Sequence, residues 1–361
     1  MQQKINCLLI ILIVFNVLFV FWGAHLYPLS SLDAVSIWYL KAKAIFLSGG
    51  HIPINVLKDS IYSNSHQQYP LLVSYIFYFF YLILGSINTS VVAFINPLLY
   101  LLVLSITYKV FRQINFSKTY ALLFTYCYSM FSPLLAAGGR MHSGDADIFV
   151  VFAYWISIFL TFKFLETKNY KYFWSLIISI MIASQIKAEG IFLIAILLFI
   201  PVIKKVKLFS LFISLFPFIL WRLIIYYSQI PNDFYYIIPT FQTLLLRSFE
   251  VVYFTAKEMI NVNNWYIFWP VFLLFSLFGK IKINLQTRIL LLTLSMMSAF
   301  LLINYLFSNI DPHIYVSSSI DRLLLQFSPF YFIIFAMLVK NEISKLDQKV
   351  IYKKFKSMLL K

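Results

Sequence analysis

Seven separate stretches of this chain, residues 5–21, 91–110, 120–136, 148–164, 208–227, 289–307 and 323–339, are apolar over a length that can cross a bilayer. Its hydrocarbon is about 30 Å thick, which takes roughly 17–25 helical residues. Three shorter runs, 173–186, 191–203 and 265–278, are further candidates. With 61% hydrophobic and 20% aromatic residues in 361, no water-soluble core could hide them all. An all-α polytopic membrane protein is the expected fold class, because only a helix satisfies every backbone hydrogen bond within one apolar segment. The opening run follows Lys4 and resembles a secretory leader. No small-residue cleavage signal follows it, so it is expected to remain as the first span. Cys7 and Cys127 lie inside apolar runs, which supports neither a disulfide framework nor a thiolate metal site.

One further run, 70–84, decides the topology. If it crossed, the basic groups Lys109/Arg112/Lys118, Lys163/Lys168/Lys171 and Lys204/Lys205/Lys207 would fall opposite Lys4. If it lies along the outer interface, they all join Lys4, together with Lys280/Lys282/Arg288 and the basic tail 340–361. That arrangement puts 20 of the 29 Lys and Arg residues inside and 10 of the 13 acidic residues outside. Basic residues in short loops favour the cytoplasm, so 70–84 is expected not to cross. About ten spans follow, with both termini cytoplasmic, in one transmembrane domain covering 1–361. The outer loops are 23–90, 137–147, 229–264 and 308–321, with a short turn at 187–190. A second in-plane amphipathic helix is expected at Phe241–Met259, where Leu and Phe alternate with Arg247, Glu250, Lys257 and Glu258. The net charge of +16 then reads as an orientation signal for the lipid bilayer, with no nucleic acid needed.

The ionisable groups gather on the outer rim. Asp33 follows Ser30 in a capping-box-like order; a carboxylate there can cap a helix, act as a general base or hold a metal. Lys41 and Lys43 follow it, and His66 and Tyr69-Pro70 lead into the run 70–84. Asp145 and Asp147, two apart, would diverge by about 200° on a helix and so not act as one pair. Lys187 and Glu189 sit at the end of a short span, where a lysine can simply snorkel. Asp311-Pro312-His313 precedes Ser317-Ser318-Ser319-Ile320-Asp321-Arg322. Asp321 and Arg322, adjacent on a helix, diverge by about 100°, so a phosphate is the better expected partner for the guanidinium. Arg222 is the main charge within a span interior.

The motifs DAVSIWYLKAKAIF, HQQYPLL, SGDAD, IKAEG and SSSIDRLLLQFSP, in this order, resemble those of bacterial relatives of the protein O-mannosyltransferases. Those proteins are GT-C membrane glycosyltransferases, as are the lipid A aminoarabinose transferases. The resemblance covers most of the chain and is best over 33–201 and 317–329. It implies a GT-C-like fold and transfer of a sugar from a polyprenyl-phosphate donor, outside the cytoplasm, to a glycan, lipid or protein acceptor. It makes Asp33 and Asp147 the catalytic carboxylates, with a divalent cation on them as an alternative role. Lys41, His66, Tyr69, Lys187, Glu189, His313 and Arg322 become substrate-binding candidates, Arg322 facing the donor phosphate. Asp33-Ala34 replaces the Asp-Glu of the mannosyltransferases, Tyr69-Pro70-Leu71 lacks a doubled proline, and no C-terminal outer domain is expected; these departures speak against a protein acceptor. The rival reading is a transporter or flippase, whose polar groups would sit near the middle of broken spans.

Overall fold

The computed structural model describes residues 2–28, 30–232, 235–279 and 283–359, with side chains through Glu342. The placements expected for Asp233, Lys280, Lys282, Lys361 and the tail side chains beyond Glu342 lie outside the described residues. The principal helices are α1 (Gln2–Leu26), α2 (Leu40–Leu47), α3 (Leu72–Leu84), α4 (Ile95–Gln113), α5 (Lys118–Ser129) and α6 (Asp147–Thr167). They continue with α7 (Tyr170–Ile186), α8 (Lys204–Tyr227), α9 (Phe241–Met259), α10 (Phe268–Phe278), α11 (Leu285–Phe307) and α12 (Pro312–Leu359). Among the described residues there is no strand, only an isolated bridge between Tyr236 and Ser308.

Six helices have the length and hydropathy to cross a bilayer: α1, α4 with the turn before it, α6, α8, α11 and the Pro312–Glu342 part of α12. The pair Lys118–Ser129 and Ser132–Arg140, bent by 75°, would make a seventh. These correspond to the seven long apolar runs. The bend falls at Ser132-Pro133, where proline opens the second piece and cannot donate to the first. Starts are set by polar side chains that accept the first free amides: Ser117 from Tyr120, Asn169 from Lys171 at 2.9 Å, and Asn284 from Thr287 at 2.8 Å.

Interhelical packing, with no water to squeeze out, must come from close van der Waals contact. The rings of Phe111, Phe124, Tyr128, Phe131, Trp155 and Phe332 form a network with centroids 5.0–6.2 Å apart. It ties α4, α5, α6 and α12 together. At Gly23 of α1 an added Cβ would lie 2.5 Å from Cα of Arg140, so glycine lets α1 touch that backbone directly.

Side-chain contacts define two ends of the bundle. At one end Gln2 and Asn6 bond Thr119, Gln113 meets Glu166, and Lys340 donates to the carbonyls of Ile114 and Asn115. Lys163 pairs with Glu166 there too. At the other end His25 stacks on Phe94, and Asn96 donates to the carbonyls of Ala137 and Asp145. The chain therefore leaves α1 and enters α4 at the same end. Residues 27–92, including α3, thus start and finish at that end. α3, with 13 residues, is about 20 Å long at 1.5 Å per residue, short of the roughly 30 Å of hydrocarbon, and it packs on α2 and the turn before it.

Candidate active site

Five segments distant in sequence converge at the end opposite Lys163 and Lys340. Asp33 lies just before a π-helical turn, Ala34–Tyr39. Tyr69 precedes α3, Asp147 opens α6, and Lys187 and Glu189 occupy the break after α7. Arg322 and Gln326, four apart, lie on one face of α12.

Two ion pairs organise the cluster. Lys187 Nζ donates to Asp147 Oδ1 at 2.8 Å, with side chains 7% and 3% exposed. Gln326 Nε2 donates to the same oxygen at 2.7 Å. Arg322 Nη1 pairs with Asp33 Oδ2, with side chains 33% and 31% exposed. Burial alone would lower the lysine's pKa, but Asp147 and Glu189 outweigh it and hold Lys187 above the ordinary lysine range. Burial pushes the Tyr69 phenol up as well, helped by Glu189 and partly opposed by Lys187 and Arg322. Tyr69 is therefore a hydroxyl donor at neutral pH rather than a base. Its ring is stacked between His66 at 4.8 Å and Trp38 at 5.9 Å.

The loop that presents Tyr69 is fixed from several sides. His66 is left-handed at φ 44°, and its carbonyl accepts a hydrogen bond from the buried ammonium of Lys41 at 2.9 Å. Trp221 Nε1 of α8 donates to the carbonyl of Gln68 at 2.9 Å. On the opposite wall Tyr154 donates to the Glu189 carbonyl at 2.8 Å. At Gly190 an added Cβ would lie 1.9 Å from the carbonyl oxygen of Ala183. Only glycine lets the IKAEG break fold back onto α7 and bring Lys187 to Asp147.

Several expectations need correction. Asp33 caps nothing: it is itself helical, at φ −61° and ψ −40°, without a cap bond. Ser31 accepts from the Ala34 amide instead, and Ser30 donates to the Met141 carbonyl. Arg322 does find a carboxylate within the chain, Asp33, rather than waiting for a phosphate alone. Lys41 is wholly buried, with its ammonium bonded to the His66 carbonyl. Asp147, 2% exposed, is enclosed by the hydrogen bonds it accepts from Lys187 and Gln326. His313 stands apart, exposed and edge-on to Phe254 at 4.9 Å. The separation expected between Asp145 and Asp147 is present. Asp145 accepts from Ser31 and interacts with His142 at 3.2 Å, away from the Asp147 pair. Among the described residues no three His, Cys, Asp or Glu groups come together to hold a metal ion; Asp33 and Asp147 each face a cationic side chain instead.

Gln326 and Trp221 escaped the sequence reading. Gln326 carried a signal, being the one amide in an apolar run and four residues from Arg322. Trp221 carried none, since an indole in a span usually packs. Compared with family models, curated proteins and solved structures, the chain shows no significant match to any of them.

Proposed function

We propose that this chain is a GT-C-like membrane glycosyltransferase that uses a polyprenyl-phosphate-linked sugar. The convergence of Asp33, Tyr69, Lys187, Glu189 and Arg322 at one end of an apolar helical bundle supports this reading most directly. In it the bundle makes ten passes: the seven long ones, α7, the segment after it, and α10. α3 and α9 lie along the outer surface of a bacterial cytoplasmic membrane. Lys163, Lys340 and the other basic residues of the opposite end face the cytoplasm.

The chemistry follows from the charges. An acceptor hydroxyl attacks the anomeric carbon as its proton passes to the Asp33 carboxylate. The bond from that carbon to the donor phosphate oxygen breaks, and the lipid phosphate leaves with added negative charge. Arg322, with its forked donors, meets that charge directly, and Lys187 adds its field from within its pair with Asp147. Before substrate arrives, Asp33 and Arg322 neutralise each other. The donor phosphate takes over the guanidinium and so releases the base. Tyr69 donates a hydrogen bond beside them, and apolar helix faces wall the prenyl chain.

A flippase for a lipid-linked intermediate is the second reading. The buried pair of Asp147 and Lys187 favours it, since intramembrane charges often mark transport paths. The decisive measurement is product formation by purified protein with a polyprenyl-phosphate sugar donor and membrane-fraction acceptors. Sugar transfer that Asp33→Asn abolishes supports the enzyme. Donor movement across a vesicle without transfer, unchanged in Asp33→Asn, would sink it.

A further inference from the structure

On the same end of the bundle, a cavity of about 420 Å³ opens between α9 and α12, lined by Phe254, Lys257, Glu258, Asn261, Ser317 and Ile320. Its size lies within the roughly 300–1,000 Å³ usual for small-molecule sites. The mechanism above uses none of these side chains. Glu258 is held as if for a purpose: Oε1 accepts from Asn264 Nδ2 at 2.7 Å and from Trp265 Nε1 at 2.9 Å, and Oε2 accepts from Asn261 Nδ2 at 3.1 Å. Three donors fix the plane of one carboxylate and leave lone pairs of Oε2 for an incoming group. Ser317 donates its own proton back to the His313 carbonyl, so its oxygen is an acceptor toward the cavity. The exposed ammonium of Lys257 supplies donors.

We propose that this cavity is a saccharide site, and that its ligand is a neutral, hydroxyl-rich molecule, a sugar residue of a glycan or glycolipid. Three features select that class. The lining offers both donors and acceptors, which hydroxyls need and a phosphate does not. It balances one cation with one fixed carboxylate, which repels an anionic headgroup. It also presents Phe254, whose ring carries negative charge density on its face and suits the C–H face of a sugar. Ile320, two residues before Arg322 on α12, stands about 200° from it around the helix, so a sugar seated here lies on the other side of α12 from the Arg322 cluster. The assignment stands apart from the glycosyl-transfer reading, since binding can be measured without transfer.

The test uses the full chain in nanodiscs and saturation-transfer NMR with neutral trisaccharides of glucose, mannose and galactose, against inositol hexakisphosphate as the charged probe. At least one neutral trisaccharide should bind saturably. Glu258→Gln and Ser317→Ala should each weaken it, Glu258→Gln by about tenfold, the scale of one charge-assisted hydrogen bond. Arg322→Ala should leave it unchanged. Ser317→Ala touches no residue of the Trp265 loop, so it reports even if Glu258→Gln disturbs folding. Binding confined to the phosphate probe, or lost in Arg322→Ala but kept in both cavity variants, overturns the site. Trisaccharide binding in the cavity with no sugar transfer from any donor would instead remove the enzymatic reading and leave the site standing.

Discussion

The two ion pairs of the cluster have the same chemistry and opposite settings. Asp147 and Lys187 are sealed, at 3% and 7% exposure, with Gln326 completing the shell. Asp33 and Arg322 are about one-third exposed and have no further hydrogen-bond partner between them in the described structure. A sealed pair cannot be traded, because either charge left alone would be stranded in an apolar interior. A part-exposed pair costs little to open, because water and an incoming anion can replace each partner. The first pair holds the site together, and the second is placed to react.

That contrast can be broken at several points, the largest first. Lys187→Ala strands Asp147 and should lower unfolding free energy by about 3–5 kcal/mol, read by thermal or denaturant melting in detergent. The double variant Lys187→Met, Asp147→Met should recover most of it, since an apolar pair of similar size needs no partner. A loss below about 1 kcal/mol in Lys187→Ala would mean that the sealed pair is no anchor.

Asp33→Asn belongs to the other pair. It should change stability by no more than about 1 kcal/mol while lowering transfer by about 10²–10⁴-fold, the usual scale of a lost general base. Unfolding on the scale of Lys187→Ala would erase the distinction between the pairs. Arg322→Lys tests the fork alone. It keeps a charge for Asp33 and for phosphate but loses the planar donors. About a tenfold fall in donor affinity with an unchanged melting point is expected, as for one lost charge-assisted bond. Equal donor affinity would move the phosphate site to Lys187.

The smallest effect concerns a third pair, His142 and Asp145, which lies outside the membrane-spanning segments. The hydrogen bond to Asp145, against the opposing pull of burial, raises the imidazole pKa above its ordinary value. A folded-state value raised above the unfolded one gives stability that is full below about pH 6.5. That contribution is lost as pH rises through the folded value. Melting temperature should therefore fall slightly from about pH 6 to pH 8, and His142→Gln should flatten the slope. A slope identical in the variant would assign it to other groups.

The membrane class and its seven long apolar segments were legible because apolar length is a local property and survives folding unchanged. The return of the chain over 27–92 to the end where it left α1 was legible only through the basic residues on either side of that stretch. The cluster itself was half legible. Asp33, Lys187 and Arg322 stood out as charges in an apolar chain, yet their pairing did not, since 289 residues separate Asp33 from Arg322 and charge alone names no partner. Lys41 misled for the same reason. A buried lysine satisfied by a backbone carbonyl has the same sequence signature as one waiting for a phosphate. His313, placed in a polar run, is similarly a neighbour of Phe254 rather than of Arg322.

The π-helical turn Ala34–Tyr39 directly after Asp33 bears on how this site tolerates insertions and deletions. Such a turn amounts to one residue more than an α-helix would hold over the same span. Removing any one residue between Ala34 and Tyr39 would let the segment relax to an ordinary α-helix. Because the turn already holds one residue too many, that deletion would leave the segments on either side in nearly their present orientation. Asp33 would keep the face that meets Arg322, whereas the same deletion within α2 would turn the segment before it by about 100°. The stretch just after Asp33 is thus where this helix can lose a residue without carrying the carboxylate away from its partner.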